Sequence, residues 1–237
     1  MDVDISGPKI MFEIPLFGGI KVTETVVWSW CIIVAVAIIC FVLTRKMEKI
    51  PRKKTQIIAE KIVVAVDNLV ESTMGASHMK FAPYILALMT MSMLGSLISL
   101  LGLRSVTADI NTTMSWAALT FLMIQANGIR QKGIKGYIKG FFEPVPLLLP
   151  LNLISEFSTP LSMGFRHFGN VAAGTVITAL LYAALGAFSN LLFNIGIPIL
   201  QVGLPALLSL YFDLFTAVLQ AYIFCMLTMV FIANNDA

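Results

Sequence analysis

The apolar positions of this chain fall into long runs that are separated by short polar or basic segments. A helix needs about 20 apolar residues to cross the ~30 Å hydrocarbon core of a bilayer. Residues 26–44 satisfy this requirement as a first span, and residues 81–103 as a second. The shorter run 113–128 follows, so residues 81–128 are expected to form a hairpin that crosses the membrane twice.

Residues 52–73 have a different pattern, in which charged side chains interrupt apolar positions at helical spacing. Ile58, Ile62 and Leu69 recur along this segment, with Lys61 among them. Such a segment has one apolar side but too many polar groups for the hydrocarbon core. We therefore predict an amphipathic helix that lies on the membrane surface.

The last part of the chain, residues 144–232, is expected to be a hairpin of two long helices. Three prolines within 144–150 interrupt the region before it, because proline inside a helix removes a backbone donor. Helices are predicted over 161–188 and 206–232, and the second is long enough to require a tilt. The predicted fold is all-α, with five membrane-crossing helices, one surface helix, and the last two helices long and tilted.

Composition supports an integral membrane protein. The chain is 58% hydrophobic and 12% charged, whereas an ordinary soluble domain is about 25% charged. The net charge of +3 does not indicate a nucleic-acid surface, because the basic residues cluster between apolar runs. Membrane lipid is thus the expected environment, with no nucleic-acid partner.

The two basic clusters predict the orientation. Segment 45–54 contains six Lys or Arg and segment 130–139 contains four, while 104–112 contains one. Basic loops stay in the cytoplasm. We therefore expect residues 1–25 to be extracytoplasmic and the C-terminus cytoplasmic. Asp2 and Asp4 stand where a cleavable signal has basic residues, so the first run is expected to remain as an anchor.

Cysteine and histidine give no sign of a disulfide framework or a metal site. The three cysteines are odd in number and lie in apolar runs, with no CxxC pair. His78 and His167 are isolated from each other and from the cysteines. No metal and no cofactor are expected.

Arg166 is the only Lys or Arg in the last 98 residues. A guanidinium group cannot escape hydrocarbon by losing its proton, and burying it there costs at least ~2.5–3.5 kcal/mol. Asn170 follows one helical turn later on the same face. Small residues around the pair allow another helix to approach closely. A charge retained at such a cost is expected to act on something.

Further polar residues accompany Arg166. Asp213 and Gln220 are seven residues apart, two turns along one helix face, and Glu156 and Thr175 lie in the preceding helical region. One interpretation is a static salt bridge between Arg166 and Asp213. The other is a fixed cation that attracts a carboxylate on a moving partner and so releases a bound proton or metal ion.

Four ordered segments resemble the a subunit of F-type ATP synthases, and together they span most of the chain. The strongest is PLSMGFRHFGNVAAG at 160–174, similar to the family's P-[LV]-S-L-x-x-R-L-F-G-N-x-x-A-G. LQAYIFCMLT at 219–228 is similar to the family's final helix. The weaker matches are TADIN at 107–111, and GYIK at 136–139 before a proline-rich stretch.

The resemblance implies an ion-translocating stator subunit that works beside a rotating c-ring in the bacterial plasma membrane. It implies that Arg166 is the stator arginine, that Gln220 faces it, and that Asn170 lines a channel. The implied partners are the c-ring and the peripheral-stalk b subunits, and the ion is H⁺ or Na⁺. Because the chain has no GxxxxGK[ST] loop, nucleotide is expected to bind to partner subunits.

Several positions depart from the family pattern or allow two interpretations. His167 stands where Leu is usual, and Asp213 where Glu or His is frequent. Thr175 is either a packing hydroxyl or part of the ion route, where relatives often have a carboxylate or His. Glu156 is either an exit-side acid or a charge that favours the helix dipole. Asp109 is either a cap or part of an ion route.

The main rival hypothesis is a secondary transporter that uses Arg166 to bind an anionic substrate. Such proteins have internally similar halves with helices broken at corresponding places. The two halves of this sequence show no convincing similarity. A structural scaffold is a further alternative, but it leaves the buried cation without a purpose.

Overall fold

The structure is a computed structural model in which the chain is mostly helical. It describes residues 8–15, 19–45, 47–49, 51, 53–142, 145–193 and 204–234. Within that part of the chain, the side chains of residues 20, 190, 192–193, 204–210 and 212–213 are not described. The helices are α1 (Glu24–Thr44), α2 (Lys54–Met74), α3 (Ala82–Leu97), α4 (Ile110–Gly140), α5 (Leu149–Phe193) and α6 (Leu204–Asn234).

Four helical segments among the described residues are long and apolar enough to cross a membrane. They are Glu24–Thr44, Ala76–Leu101, Pro146–Ser189 and Leu214–Asn234. The prediction of a helical membrane protein is confirmed. The fifth crossing, expected at 113–128, lies inside α4, and its passage through the bilayer stays a prediction. The amphipathic helix expected over 52–73 corresponds to α2, and its position on the membrane surface also stays a prediction.

Two helix boundaries differ from the sequence prediction. The basic segment 130–139 was expected to be a loop, yet α4 continues through it to Gly140, with one non-helical residue at Gly133. The helix expected over 161–188 begins at Leu149 and contains Pro160. Pro150 falls in the first turn, where a missing N–H removes no helical hydrogen bond, so the proline cluster starts this helix rather than excluding it.

A β-hairpin precedes α1, where the sequence predicted only an extracytoplasmic segment. Strands β1 (Ile10–Ile14) and β2 (Ile20–Thr23) pair antiparallel. The backbone N–H of Glu24 donates to the carbonyl of Lys9 at 2.9 Å, which ties the hairpin to the first turn of α1. In α1 itself only Thr25 and Ile32 are buried. Most of its apolar surface is therefore free to face lipid.

The packed centre of the molecule is formed by α3, α4, α5 and α6, with α2 against α3 and α6. The larger apolar side chains that are fully buried there are those of Val70, Ile85, Phe224, Cys225, Met229 and Ile232. Gly164 allows close packing between α5 and α4, because a Cβ there would lie 2.7 Å from the sulfur of Met114. Small residues thus bring these helices together, as expected in lipid.

Polar contacts show which loops and helix ends lie at the same end of the helix bundle. The Thr25 hydroxyl donates to the Asp109 carboxylate at 2.6 Å, which joins the start of α1 to the start of α4. At the other end, Lys80 donates to Asn127 at 3.4 Å, and Asn127 donates to the carbonyl of Ile232 at 3.5 Å. The segment that follows Asn127 is the basic one, so it lies at the end opposite Asp109.

Candidate functional site

The candidate site lies along α5 and α6, which run antiparallel. The side-chain amide of Asn170 donates to the Gln220 carbonyl oxygen at 2.6 Å. One turn away, the rings of His167 and Phe224 lie with their centroids 5.5 Å apart. As residue numbers fall along α5 they rise along α6, and this register fixes where each candidate residue lies.

Arg166 lies on an exposed face of α5. It lines a groove with hydroxyl-bearing residues of α5 and two apolar residues of α6, which are Ser155, Ser158, Thr159, Ser162, Leu227 and Phe231. Within the described residues, the guanidinium group has no hydrogen bond or ion pair to another side chain. Its charge is therefore available to a group from outside this chain.

The outward direction of Arg166 is set by its buried neighbours. Met163 and His167 are 2% and 0% exposed, so the opposite face of α5 is held against α3, α4 and α6. The His167 ring contacts the rings of Trp116 and Phe224, and its Nε2 lies 3.4 Å from the Ser92 hydroxyl. Successive helix positions are about 100° apart. Anchoring His167 in the bundle thus turns Arg166 away from it.

Gln220 pairs with Asn170 rather than with Arg166. It is 1% exposed, and its carbonyl oxygen is occupied by the Asn170 amide. The family resemblance implied that Gln220 faces Arg166, but in this structure the arginine is one turn farther along α5. The amide pair instead connects α5 to α6 next to the arginine.

The static salt bridge between Arg166 and Asp213 does not fit the helix register. The side chain of Asp213 lies outside the described residues, but its backbone belongs to α6. Asn170 lies opposite Gln220. Counted along the helix axes from that pair, Arg166 lies one turn toward one end and Asp213 two turns toward the other end. The two positions are therefore about 16 Å apart along the helix axes. A side-chain ion pair does not span that distance.

Glu156 takes part in a side-chain network in the second turn of α5. The Gln125 amide donates to its carboxylate at 2.5 Å, and the Tyr137 hydroxyl donates to the Gln125 carbonyl oxygen. The first turn of α5 contains no acid, and the helix dipole acts mainly within that turn. The dipole interpretation of Glu156 is therefore weaker than that of an acid lining a polar path.

Three adjoining pockets connect Glu156 to Arg166. One contains Lys132, Tyr137, Asn152, Ser155 and Glu156. The second shares Glu156 with it and also includes Thr159 and Asn234. The third is the Arg166 groove, which shares Ser155 with the first and Thr159 with the second. Hydroxyl, amide and carboxylate groups thus follow α5 from the basic end of α4 to the arginine.

A separate pocket lies on the other side of the Asn170–Gln220 bond. It is lined by Asn170, Thr175, Ser96, Ser99 and Thr216, together with small and apolar residues. The Thr175 hydroxyl donates to the carbonyl of Ala172 on its own helix at 2.8 Å, and among the described residues it makes no hydrogen bond to a neighbouring helix. Thr175 is exposed and lines this pocket. Among the described residues, none lines both polar regions.

Asp109 and His78 make hydrogen bonds that stabilise the local structure. Asp109 caps α4 by accepting the N–H of Asn111 at 3.0 Å, and it also accepts the Thr25 hydroxyl, so the cap prediction is confirmed. His78 is 5% exposed, and its Nδ1 lies 2.9 Å from the carbonyl of Met74.

The sequence reasoning missed Gln125 and Tyr137. Gln125 lies within the largely apolar run 113–128, where a polar amide is a signal in its own right. Tyr137 lies in the GYIK segment that resembles the family, but no role was inferred for it. Their importance depends on a contact between residues 12 apart, which requires the break in α4.

The sequence is similar over most of its length to proteins of a known family. The family model described as ATP synthase A chain matches residues 26–233. The sodium ion specific ATP synthase subunit a of Propionigenium modestum is 34% identical, covering 98% of this chain and 86% of its own length. The ATP synthase subunit a of Moorella thermoacetica is 30% identical over 94% of both chains, and that of Bacillus pumilus is 34% identical over 84% and 86%.

Proposed function

Because this chain belongs to the ATP synthase A chain family, we propose that it is the stator subunit that carries ions past Arg166 to a rotating ring. Membership makes it a multi-pass bacterial membrane protein of the ATP synthase complex, with a role in ATP synthesis and ion transport and with the c-ring among its partners. Its contribution to ATP synthesis is ion passage, because nucleotide chemistry belongs to other subunits.

The observation that carries the proposal is Arg166 on the exposed face of α5, without a polar partner among the described residues, at the inner end of one polar region and beside a second. We propose that the region containing Glu156 is the cytoplasmic half-channel. The region containing Asn170 and Thr175 is the extracytoplasmic half-channel, with Asp213 farther along it. Gln220, bonded to Asn170, closes the gap between the two.

The ring carboxylate takes up an ion from one half-channel and moves through lipid in its neutral form. Near Arg166 the carboxylate is more stable as an anion, because an opposite charge within several ångströms favours the charged form. The ion therefore leaves into the other half-channel. A membrane potential supplies ~2.3 kcal/mol per charge per 100 mV, which drives the movement in one direction.

Arg166 also prevents a direct leak. Its permanent positive charge repels H⁺ and Na⁺ at the point where the two regions come closest, whereas a lysine there is able to lose its proton. The ion is H⁺ or Na⁺, and the binding site on the ring selects between them. One relative is described as sodium ion specific, so both ions belong in the test below.

The proposed topology has five crossings, the N-terminus outside and the C-terminus in the cytoplasm. α4 supplies the additional crossing, and α2 lies on the cytoplasmic membrane surface. The exposed apolar residues Ile58, Ile62 and Val64 of α2 face lipid and the peripheral-stalk b subunits. This arrangement puts both basic segments in the cytoplasm, as the positive-inside rule requires.

The test replaces Arg166 in the assembled synthase. In membrane vesicles, Arg166→Ala should abolish ion-driven ATP synthesis with H⁺ or Na⁺ gradients, while the complex still assembles. Arg166→Lys should also fail, because it keeps a basic group without a permanent charge. Arg130→Ala is the matched control, since Arg130 is an exposed arginine in the basic segment outside both polar regions. Normal coupled synthesis in Arg166→Ala would refute the proposal.

A further inference from the structure

The end of α4 folds back on itself at Gly133. This residue has φ 68° and ψ 161°, which a glycine adopts without strain and other residues rarely do. In an unbroken helix the 12 residues from Gln125 to Tyr137 would rise about 18 Å, which is too far for their side chains to meet. Yet the Tyr137 hydroxyl donates to the Gln125 side chain. Residues 134–142, which we name the return segment, therefore run back toward the preceding part of α4.

The return segment is fastened to α5. The Asn152 amide donates to the carbonyl of Phe141 at 3.0 Å. The rings of Tyr137 and Phe141 meet edge to face, with centroids 5.1 Å apart. The Asn152 bond to α5 and the Tyr137 bond to Gln125 in the earlier part of α4 hold Tyr137 over the beginning of α5.

The return segment covers the pocket that contains Glu156. Tyr137, Gly140 and Phe141 line that pocket together with Asn152, Ser155 and Glu156. The segment is therefore the wall of the polar region at its end farthest from Arg166. An ion that leaves by this region passes between the return segment and α5.

Tyr137 controls the direction of the Gln125 amide. The Tyr137 hydroxyl occupies the carbonyl oxygen of Gln125, so the NH₂ group of the same amide points to the Glu156 carboxylate, at 2.5 Å. An amide in the reverse orientation would present an oxygen to a carboxylate, which is repulsive. One hydroxyl thus determines whether Glu156 receives a donor.

The phenol is able to act as a donor at any physiological pH. Tyr137 lies beyond the expected span 113–128, and its burial, together with the nearby Glu156, raises its pKa to about 12. The charged group that lines the pocket with Glu156 from α4 is Lys132, and α6 contributes only the neutral Phe231 and Asn234 to the adjoining pocket. Arg166 is ten residues along α5, about 15 Å away.

We propose that Tyr137, held by the Gly133 turn and acting through Gln125, is a positioning residue that keeps the Glu156 carboxylate oriented to pass ions at the cytoplasmic mouth. This inference rests on the proposed function. The family resemblance includes the GYIK segment, but the role of the hydroxyl follows from the Tyr137–Gln125–Glu156 contacts. Loss of the hydroxyl frees the Gln125 amide to turn, and Glu156 then loses a donor that stabilises its charged form.

The test measures ion flux through the membrane part of the assembled synthase as a function of internal pH. Tyr137→Phe removes one oxygen and keeps the ring contact with Phe141. We expect flux at neutral pH to fall by about tenfold, the scale of one hydrogen bond near a charge, and the half-maximal point to move to higher pH. Gln125→Leu should produce the same shift, and the double variant should add nothing further because both act through one contact.

Tyr84→Phe is the matched control. Its hydroxyl lies 2.9 Å from the Thr120 hydroxyl, and neither residue lines a pocket that contains Glu156, so its loss should leave the pH profile unchanged. An unchanged profile in Tyr137→Phe, additive effects of the two variants, or an equal shift in Tyr84→Phe would overturn the proposal. If Arg166→Ala abolishes synthesis in the same vesicles while Tyr137→Phe changes nothing, the stator function holds and only the role of Tyr137 fails.

Discussion

The hydrogen bond between Asn170 and Gln220 should couple α5 to α6 energetically, and a double-mutant cycle will measure the coupling. The bond is 2.6 Å long, and Gln220 is 1% exposed, so no water replaces a lost partner on the glutamine side. Side-chain hydrogen bonds between membrane helices contribute about 0.6 kcal/mol on average and about 1.7 at most. This short bond, which is buried on the glutamine side, should lie in the upper half of that range.

The cycle uses Asn170→Ala, Gln220→Leu and the double variant in the assembled synthase, with the rate of ion-driven ATP synthesis as the readout. A coupling of about 0.6–1.7 kcal/mol corresponds to a three- to eighteenfold departure from multiplicative effects. The double variant should therefore be little slower than the slower single variant. Subunit abundance in the membranes corrects for any loss of assembly.

Thr228 provides the control cycle with Asn170. Its hydroxyl donates to the carbonyl of Phe224 in its own helix at 2.8 Å, so Thr228→Ala removes a polar group of α6 that makes no bond to α5. Its effect should multiply with that of Asn170→Ala. Independent effects in the Asn170–Gln220 cycle, within about 0.3 kcal/mol, would refute the reasoning that this bond holds the two helices together beside Arg166.

Two further predictions concern stability, measured as the free energy of unfolding in mixed micelles. His167→Leu should be close to neutral, because it removes a buried Nδ1 that has no hydrogen-bond partner among the described residues and loses only the long, 3.4 Å contact between Nε2 and the Ser92 hydroxyl. His167→Ala should cost about 3 kcal/mol by leaving a cavity between Trp116 and Phe224. A larger loss in the leucine variant than in the alanine variant would contradict this. Thr25→Val should cost about 1.5–3 kcal/mol, since it removes the donor to the buried Asp109 carboxylate. Thr44→Val is the control, because the Thr44 hydroxyl bonds only within its own helix, and it should change stability by less than about 0.5 kcal/mol. Equal effects of the two variants would show that the Thr25–Asp109 bond contributes nothing.

Helix content and the candidate arginine were predictable from the sequence for a simple reason. An apolar run long enough to span a bilayer must satisfy its backbone internally, so the runs around residues 26–44 and 206–232 became helices. Arg166 stood out because a permanent charge among apolar residues is costly wherever the chain folds. Neither conclusion needs a contact between distant residues.

Helix ends were harder to predict, because prolines and basic residues allow more than one local structure. Pro150 is compatible with the first turn of a helix as well as with a break, and α5 begins at Leu149. The basic residues of 130–139 are compatible with water in a loop as well as in a helix. In the structure the chain is helical on both sides of Gly133. The positive φ of this one glycine, which its sequence position did not reveal, decided where the chain turns.

The apolar runs and the lone arginine are enough to predict a helical membrane protein with one cation among apolar residues and several polar residues near it. Which of those polar residues contact one another depends on how the helices pack. The antiparallel register of α5 and α6 pairs Gln220 with Asn170 and separates Arg166 from Asp213, and the turn at Gly133 brings Tyr137 to Gln125. These pairings depend on how helices slide and fold against one another. That choice is made by packing and side-chain hydrogen bonds between residues far apart in the chain, which no local pattern of apolar and polar positions encodes.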